Sequence, residues 1–394
     1  MSAAAPRVRT GLARLVAGEY SDLAGAASGL VLHPASVTAD LTGADDALLN
    51  AGFHLRALFG PQHGAWGEKQ DNMIESASFT DPRTGLPVHS LYGEVRRPTP
   101  ATLDGLDVLL FDLQDVGVRV YTFVWTMALA MQACAEAGVT FVVLDRPNPI
   151  GGVQVEGPVL RAGFESFVGL YPIPLRHGLT CGELALYLND AHGIGCELRV
   201  VPCDGWRREM WFDDIGLPYV FPSPNLPTLD SCTVYPGSVL LEGTNLSEGR
   251  GTTRPFELIG APWLEPYALV AALEALGLPG VRFRPCRFEP TFQKHAGCVC
   301  GGVQLHVMDR AAFRPVWTAV AVLWAAREQA PEAFAWRRPP YEYEEVKMPI
   351  DILWGHDGLR RGIEDGLTPD ALIEGVAAEL DTFMEGITPF RLYA

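Results

Sequence analysis

Several features that mark common protein classes are missing from this sequence. No apolar run approaches the roughly 20 residues of a membrane span. The first twenty residues contain three arginines but no continuous apolar segment, so we do not expect a signal peptide. Basic residues are scarce, with 30 against 47 acidic residues and a net charge of −17. Because phosphate binding requires a basic face, we predict neither nucleic acid nor a membrane as a partner.

Motifs for nucleotides, metals and a serine nucleophile are missing as well. There is no G-x-x-x-x-G-K-[ST] segment, no G-x-G-x-x-G after the first predicted strand, no H-E-x-x-H pair and no G-x-S-x-G elbow. The eight cysteines are scattered, and the pair Cys298 and Cys300 has no second pair to complete a zinc site. We interpret the cysteines as free thiols in a reducing cytoplasm, and we predict that the protein needs no cofactor and no metal.

What the sequence does contain is a strongly polar segment at residues 241–257, LEGTNLSEGRGTTRPFE. It combines two carboxylates (Glu242 and Glu248), two guanidiniums (Arg250 and Arg254) and four hydroxyl side chains, interrupted by three glycines. Glycine weakens helices and strands, and the apolar spacing of either element is absent, so we predict a shaped loop that presents polar groups. A solvated surface loop is the alternative.

Short apolar segments alternate with helical patterns through the first half of the chain. The predicted strands are 29–33, 54–59, 107–113, 139–145 and 198–202, and the predicted helices are 12–26, 45–50, 121–138 and 180–191. This alternation is typical of an α/β fold in which helices cover both faces of a parallel sheet. The polar segment 65–100 is predicted to be a functional loop or a lid.

From about residue 261 the pattern changes to that of a smaller α+β domain. Helices are predicted at 264–276, 311–327 and 369–386, a strand at 298–307 and an extended piece at 344–349. A chain of 394 residues is too long for one ordinary core, so we expect two domains.

Polar clusters follow three of the predicted parallel strands, and the carboxyl ends of such strands meet at one edge of a sheet. His63, in GPQHG, suits proton transfer or ligand binding, although a turn histidine bonded to a backbone carbonyl is an equal alternative. Asp115, in DLQDVGVR, is interpreted as functional in preference to a helix cap, and the rigid turn DRPNP fixes Asn148. Further signals are His177 in RHG and Asn225 in SPNLPTLD, the latter a ligand contact or the brace of a turn.

An acidic cleft with arginines and amides suits sugar chemistry, in which one carboxyl protonates the leaving oxygen and another group stabilises an oxocarbenium-like state. The same segments carry a resemblance to a known family. In this order, FGPQHG, FDLQDVGVRVYTF, LDRPNPIGG, RHGLTCGELA, SPNLPTLD, LEGTNLSEGRGTTRPFE and PPYEYE resemble the exo-β-N-acetylmuramidase family, glycoside hydrolase family 171. The resemblance covers roughly residues 28–394.

The resemblance implies a Rossmann-like parallel-sheet N-terminal domain without a nucleotide, residues 1–258. It also implies a smaller α+β C-terminal domain, residues 259–394, which closes a cleft. The implied activity is that of an exo-acting glycosidase that releases N-acetylmuramic acid, or a related amino sugar, from the non-reducing end of peptidoglycan fragments. The lactyl carboxylate of that sugar gives Arg250 or Arg254 a use, since arginine forms two-pronged bonds to carboxylates.

One departure concerns the family segment GPEHG, whose glutamate is a proposed catalytic residue, because this chain has Gln62 there. An amide cannot act as a general acid or base, so another carboxyl takes that role or the substrate differs. The candidate catalytic residues are Glu242, Glu248, Glu68, Asp115 and His63. The candidate substrate-binding residues are Gln62, Arg119, Tyr121, Asn148, His177, Asn225, Arg250 and Arg254. The alternative functions are a non-catalytic sugar-binding protein and a hydrolase of another anionic small molecule.

Overall fold

The structure is a computed structural model that describes residues 8–71 and 73–394. Residues 1–7, part of the predicted first domain, lie outside the described residues. The strands are β1 (Ala27–Val31), β2 (His54–Gly60), β3 (Phe79–Thr80), β4 (Pro87–Ser90), β5 (Val108–Phe111), β6 (Thr140–Leu144), β7 (Glu156–Val159), β8 (Pro174–Arg176), β9 (Leu198–Val201), β10 (Leu258–Ala261), β11 (Val281–Phe288) and β12 (Cys300–Val307). The α-helices are α1 (Gly11–Val16), α2 (Ala44–Asn50), α3 (Pro100–Leu103), α4 (Phe123–Ala137), α5 (Cys181–Ala191), α6 (Leu229–Ser238), α7 (Pro266–Ala275), α8 (Pro315–Gln329), α9 (Pro349–Trp354), α10 (Gly358–Glu364), α11 (Pro369–Glu374) and α12 (Ala377–Ile387).

The main sheet has seven strands in the order β3-β4-β2-β1-β5-β6-β9. All neighbours pair in parallel except β3, which is antiparallel to β4 at the edge. Counted along the chain, the six parallel strands have the order 3-2-1-4-5-6, which is that of doubly wound dinucleotide-binding folds. The predicted Rossmann-like α/β fold is therefore confirmed, and the strand order reverses between β1 and β5.

The five strands predicted in the N-terminal half correspond to β1, β2, β5, β6 and β9. They could be recognised in the sequence because most of their apolar side chains are buried, on both faces of the sheet. Leu30 and Leu110, for example, are fully buried. Helix α4 is apolar around most of its circumference, which is typical of a buried helix, and it ends at Gly138 with a φ of 69°. Helix α5 begins at the predicted capping box, which Thr180 and Glu183 form.

Two predictions in the N-terminal half are wrong. The segment 65–100 is not only a loop, since β3 and β4 extend the sheet from within it. Both strands are short and Pro87 opens β4, so no alternating pattern marks them. The helix predicted at 12–26 ends at Val16, because Gly18 takes a φ of 82° and turns the chain.

Two predictions in the C-terminal half are also wrong. The helix predicted at 369–386 consists of two helices, α11 and α12, which are separated at Gly375. The piece predicted to be extended at 344–349 follows a tight turn and leads directly into α9. In that turn Tyr341 and Glu344 exchange two backbone hydrogen bonds of 2.9 Å.

A second sheet, β10-β12-β11, is antiparallel and packs against α7, as a smaller α+β region requires. Helix α6 approaches α8 so closely that a Cβ atom at Gly237 would lie 1.9 Å from the carbonyl oxygen of Pro315. The described residues contain three apolar clusters, of which the one that extends from Val31 to Ile387 includes both predicted domains. The division at residue 258 stays a prediction. Within the described ranges no helix is long and apolar enough to cross a membrane.

Candidate active site

A narrow cavity lies where the loops after β2 and β5 meet the C-terminal part of the chain. Its volume is about 30 Å³, which is room for about two ordered waters. Its polar lining consists of Gln62, His63, Tyr121, Thr122, Ser223, Tyr235, Glu242, Arg250, Tyr341 and Glu342. Side chains from both predicted domains therefore share one site, including a hydrogen-bonded pair 280 positions apart in the sequence.

Most of the polar segment 241–257 is buried, and Glu242 and Arg250 line this cavity, so the alternative of a solvated surface loop is wrong. Its two carboxylates and Arg250 are each less than a tenth exposed. The chain can fold this tightly because Gly249 and Gly251 both adopt a φ of 81°, in the left-handed region that glycine tolerates. The structure therefore contains the predicted loop, in which glycines shape the backbone and polar side chains are presented to the cavity.

Two carboxylates and two cations form a buried cluster at this loop. Arg250 Nη1 donates to Glu242 Oε1 at 2.8 Å and to Glu248 Oε1 at 2.9 Å. Lys294 Nζ donates to Glu248 Oε2 at 2.9 Å, and the Tyr341 hydroxyl donates to Glu242 Oε2 at 2.7 Å. Burial raises the pKa of Glu248, but Lys294 and Arg250 outweigh burial and lower that pKa to about 2. Glu248 is therefore ionised at neutral pH and holds Arg250 in place.

Gln62 is the centre of a buried hydrogen-bond chain. Its Oε1 accepts the Thr122 hydroxyl at 2.7 Å. Its Nε2 donates to the Tyr92 hydroxyl oxygen and to Glu342 Oε1, both at 3.1 Å. The Tyr92 hydroxyl in turn donates to Glu342 Oε2 at 2.8 Å. These contacts fix the orientation of the Gln62 amide and tie it to a carboxyl.

That carboxyl, Glu342, is a cavity residue that the sequence predictions missed. It lies in PPYEYE, a segment whose carboxylates could have been considered as candidates. Glu342 and Tyr343 have φ values of 46° and 65° in succession. Left-handed conformations of non-glycine residues are costly, and they persist mainly where the surroundings enforce them, often at functional sites.

The electrostatic environment of Glu342 is opposite to that of Glu248. Burial raises the pKa of Glu342, the hydrogen bond from Tyr92 lowers it, and the nearby charge of Glu242 raises it again. Gln62 and Arg250 contribute smaller decreases, and the resulting pKa is about 7. Glu342 can therefore both carry and release a proton near neutral pH.

Glu342 also lines a wider groove that adjoins the cavity. The groove has a volume of about 490 Å³, and its lining includes Arg96, Arg97, Phe167 and Tyr343. The Arg96 guanidinium lies 3.4 Å from the centre of the Tyr343 ring. The groove therefore offers aromatic faces and cationic side chains beside a protonatable carboxyl.

His63 is neutral and has partners at both ring nitrogens. Nδ1 donates to the carbonyl oxygen of Lys69 at 2.7 Å, so Nε2 accepts the Ser223 hydroxyl at 3.1 Å. Burial lowers the pKa of His63, and although the Lys69 carbonyl opposes this, the pKa is about 4. His63 thus combines the two interpretations made from its sequence context, since it is bonded to a backbone carbonyl and also lines the cavity.

Three further candidates, Asp115, His177 and Asn148, lie beyond the lining of this cavity. Asp115 Oδ2 accepts the N–H of Gly117 at 2.7 Å and lies 3.3 Å from His177 Nε2. Asn148 Nδ2 donates to the carbonyl oxygen of Leu179 at 3.0 Å. Their contact with a substrate stays a prediction.

The candidate arginines outside the cluster lie in two different environments. Arg119 is fully buried and its Nη2 donates to the carbonyl oxygens of Leu353 and Trp354 at 3.0 and 2.8 Å, at the end of α9. Arg254 is about half exposed, pairs with Glu257 at 3.2 Å and lines a separate cavity. Arg254 is therefore not placed beside Gln62 and His63.

The remaining candidates lie at or near the mouth of the site. Tyr121 lines the cavity, and its hydroxyl donates to the carbonyl oxygen of Pro222 at 2.5 Å. Asn225 exchanges two hydrogen bonds of 3.0 and 2.8 Å with Gln70, in the loop after His63. The Glu68 side chain is half exposed and faces a neighbouring surface pocket.

Comparison with known proteins agrees with this architecture. The family described as exo-β-N-acetylmuramidase NamZ matches residues 28–230 with its N-terminal part and residues 233–393 with its C-terminal part. The peptidoglycan β-N-acetylmuramidase NamZ of Bacillus subtilis (strain 168) is 46% identical over 389 residues, which cover 98% of this chain and 92% of that protein.

Two solved structures from Bacteroides fragilis NCTC 9343, both of DUF1343 family proteins, have the same fold. One superposes with a TM-score of 0.90 at 34% identity and covers 99% of this chain and 100% of its own. The other has a TM-score of 0.78 at 27% identity, with coverage of 98% and 99%. The sequence motifs, the fold and the matches along nearly the whole chain lead to one conclusion. This chain belongs to the exo-β-N-acetylmuramidase family.

Proposed function

We propose that this chain is an exo-acting glycosidase that releases N-acetylmuramic acid from the non-reducing end of peptidoglycan fragments. The Bacillus relative is named as a peptidoglycan β-N-acetylmuramidase. The observation that carries the proposal is a cavity in which two buried carboxyls, Glu242 and Glu342, line one small space. Glycoside hydrolysis needs such a pair, because one group protonates the leaving oxygen and another stabilises positive charge at the anomeric carbon.

Glu242 suits the stabilising role in this reaction. Arg250 and Tyr341 each bind one of its oxygens and hold the carboxylate in one orientation. A fixed carboxylate stabilises an oxocarbenium-like state without having to reorient during the reaction. Glu248 has an indirect role, since it positions Arg250. The neutral His63 is available to form a hydrogen bond with a sugar hydroxyl.

The shape of the site supports removal of single terminal sugars. The cavity beyond Glu342 holds about 30 Å³, too little for a sugar ring, whereas the adjoining groove is about 490 Å³. A glycan end fits the groove but cannot thread past the carboxyl. Arg96 in the same groove suits the lactyl carboxylate of N-acetylmuramic acid, because Arg250 already bridges two carboxylates and Arg97 is paired with Glu136.

The partner and the compartment are further parts of the proposal. The net charge of −17 supports a small carbohydrate substrate in place of nucleic acid or an anionic membrane. All eight cysteines, which fall in the described part of the chain, are free thiols, and six are buried. Free thiols support a cytoplasmic location. Cell fractionation tests this, and recovery of the protein outside the cytoplasm would contradict it.

A pair of chromogenic substrates tests the activity. We expect the protein to release nitrophenol from a β-N-acetylmuramide and far more slowly from the matching β-N-acetylglucosaminide, which lacks the lactyl carboxylate. Replacing Arg96 with Gln should narrow this preference by raising KM for the muramide alone. The control is Arg282→Gln, which removes an exposed arginine of β11 that pairs with Glu274.

Each alternative function has its own outcome in this assay. Binding of the muramide in calorimetry without any release indicates a non-catalytic sugar-binding protein. Hydrolysis of phosphoesters or amides with no glycoside cleavage indicates a different hydrolase. Equal rates on the two glycosides would contradict recognition of the lactyl group.

A further inference from the structure

We propose that Glu342 is the general acid of this enzyme, the group that protonates the glycosidic oxygen as the bond breaks. This inference rests on the glycosidase function proposed above. It assigns the proton transfer to a residue in the C-terminal half of the chain, on the turn at residues 341–344, and gives Gln62 the task of orienting it.

The geometry places Glu342 where a proton donor is needed. Glu342 lines both the wide groove and the narrow cavity, so the residue lies where the space for a sugar adjoins the space for water. Gln62 Nε2 and the Tyr92 hydroxyl each donate to one of its oxygens, at 3.1 and 2.8 Å. Each oxygen accepts one hydrogen bond from these described residues, and a carboxylate has about four such positions, which leaves room for a proton and a ligand. The left-handed backbone at Glu342 and Tyr343 is energetically unfavourable for non-glycine residues, and such strain is found most often at functional sites.

Two other ionisable groups of the site, Glu248 in the adjoining cluster and His63 in the cavity lining, are poorly suited to donate a proton. Lys294 and Arg250 keep Glu248 ionised, with a pKa of about 2. Burial keeps His63 neutral, with a pKa of about 4, so it has no extra proton to give at pH 7. Glu342, with a pKa of about 7, is a carboxyl that holds a proton in a large fraction of molecules at neutral pH.

The proposed step is balanced. The O–H bond of the Glu342 carboxyl breaks and its proton passes to the glycosidic oxygen. The bond between that oxygen and the anomeric carbon breaks, and its electron pair stays on the leaving sugar as a hydroxyl group. Water, the co-reactant of hydrolysis, supplies the hydroxyl that the anomeric carbon gains. The proton that water loses restores Glu342, so the enzyme ends the cycle as it began.

Two leaving groups distinguish this role from a structural one. In Glu342→Gln we expect the rate of hydrolysis of a muramyl disaccharide to fall on the order of 10²–10⁴-fold. The leaving group of this substrate is a sugar whose hydroxyl oxygen must be protonated as the bond breaks. Hydrolysis of the nitrophenyl muramide, whose leaving group departs as an anion, should fall much less. The control is Glu75→Gln, which removes a carboxyl that contacts the same turn through Tyr343 at 3.4 Å. Equal losses on both substrates, or no loss on the disaccharide, would overturn the assignment.

A second variant keeps the proposal testable if Glu342→Gln fails to fold. Tyr92→Phe removes a hydrogen bond that lowers the pKa of Glu342, while Glu242, Arg250 and Gln62 remain around it. The alkaline limb of kcat/KM, which we assign to Glu342, should then move to higher pH. An unmoved or lower limb contradicts the proposal. If the wild-type protein cleaves neither substrate, the proposed function itself has failed, and that result is distinct from the loss of one substrate in a variant.

Discussion

Lys294 is a partly buried ammonium, 16% exposed, that contacts the buried Glu248 at 2.9 Å and also two backbone carbonyl oxygens. Lys294→Met leaves Glu248 buried with Arg250 alone, and breaking a buried pair costs about 3–5 kcal/mol of the free energy of unfolding. Urea denaturation at pH 7 measures this loss. The control is Lys69→Met, because Lys69 lies 3.6 Å from Glu68 at the surface, where a pair is worth about 0–1 kcal/mol.

The acid limb of the stability curve gives an independent check on Glu248. Its folded pKa of about 2 is below the unfolded carboxyl value of about 4.3, so its stabilising contribution is present above pH 4.3 and is lost as the pH falls towards 2. We expect the stability of the wild-type protein to fall steeply across this window. The Lys294→Met variant should show a shallower slope, and an identical slope in both proteins would contradict the ion-pair account.

Glu342 has the opposite linkage between pH and stability. The folded pKa of Glu342, about 7, exceeds the unfolded value. The protonated carboxyl therefore contributes fully to the free energy of unfolding below about pH 4, and this contribution is lost as the pH rises through 7. Glutamine has the shape of the protonated acid. We expect Glu342→Gln to equal the wild type at pH 4 and to exceed it at pH 8 by roughly 3–4 kcal/mol. Chemical denaturation at the two pH values measures the difference, and equal stability at pH 8 would contradict it.

At the scale of elements, the loop 241–257 depends on a close approach at Gly251. A Cβ atom there would lie 2.5 Å from the carbonyl oxygen of Phe292, and the φ of 81° is already strained for alanine. We expect Gly251→Ala to cost on the order of 2–4 kcal/mol and to weaken the cavity wall. Gly277→Ala is the matched control, because it has a similar φ of 64° but no atom within 4 Å of the new methyl group. Equal costs, measured by thermal unfolding, would contradict a steric role.

The main elements of the N-terminal half could be predicted because buried strands are apolar and helices have clear ends. Helix α5 shows this, since the capping box of Thr180 and Glu183 is encoded within four residues. Strands β3 and β4 could not be predicted, because a strand of two to four residues is too short to show a period. Their pairing depends on the neighbouring strand β2, which is a tertiary interaction.

The candidate site could be predicted in the same partial way. Gln62 and His63 followed from the rule that loops after parallel strands converge, because both lie in GPQHG after a predicted strand. Glu342 could not be predicted in this way, because it lies in a turn of the C-terminal half that does not directly follow a strand of the parallel sheet. Its contact with Gln62 spans 280 positions, and a single sequence contains no local signal for such a contact.

For the whole molecule, the shared core predicts one cooperative unfolding transition. The apolar core includes residues from both predicted domains, and α6 and α8 pack in contact at Gly237. Calorimetry should therefore show a single peak, and residues 1–258 expressed alone should expose apolar surface and fail to fold. Two separated peaks, or a stable fragment 1–258, would contradict a common core.

The small size of the cavity behind Glu342 has a consequence for how the proposed enzyme meets its substrates. A glycan that cannot pass the carboxyl must dissociate after every cut, so the enzyme is not processive. Its turnover then depends on the number of chain ends in the pool of fragments and not on their total mass. A few long glycan chains offer few ends to such an enzyme, whereas the same mass of glycan broken into short pieces offers many.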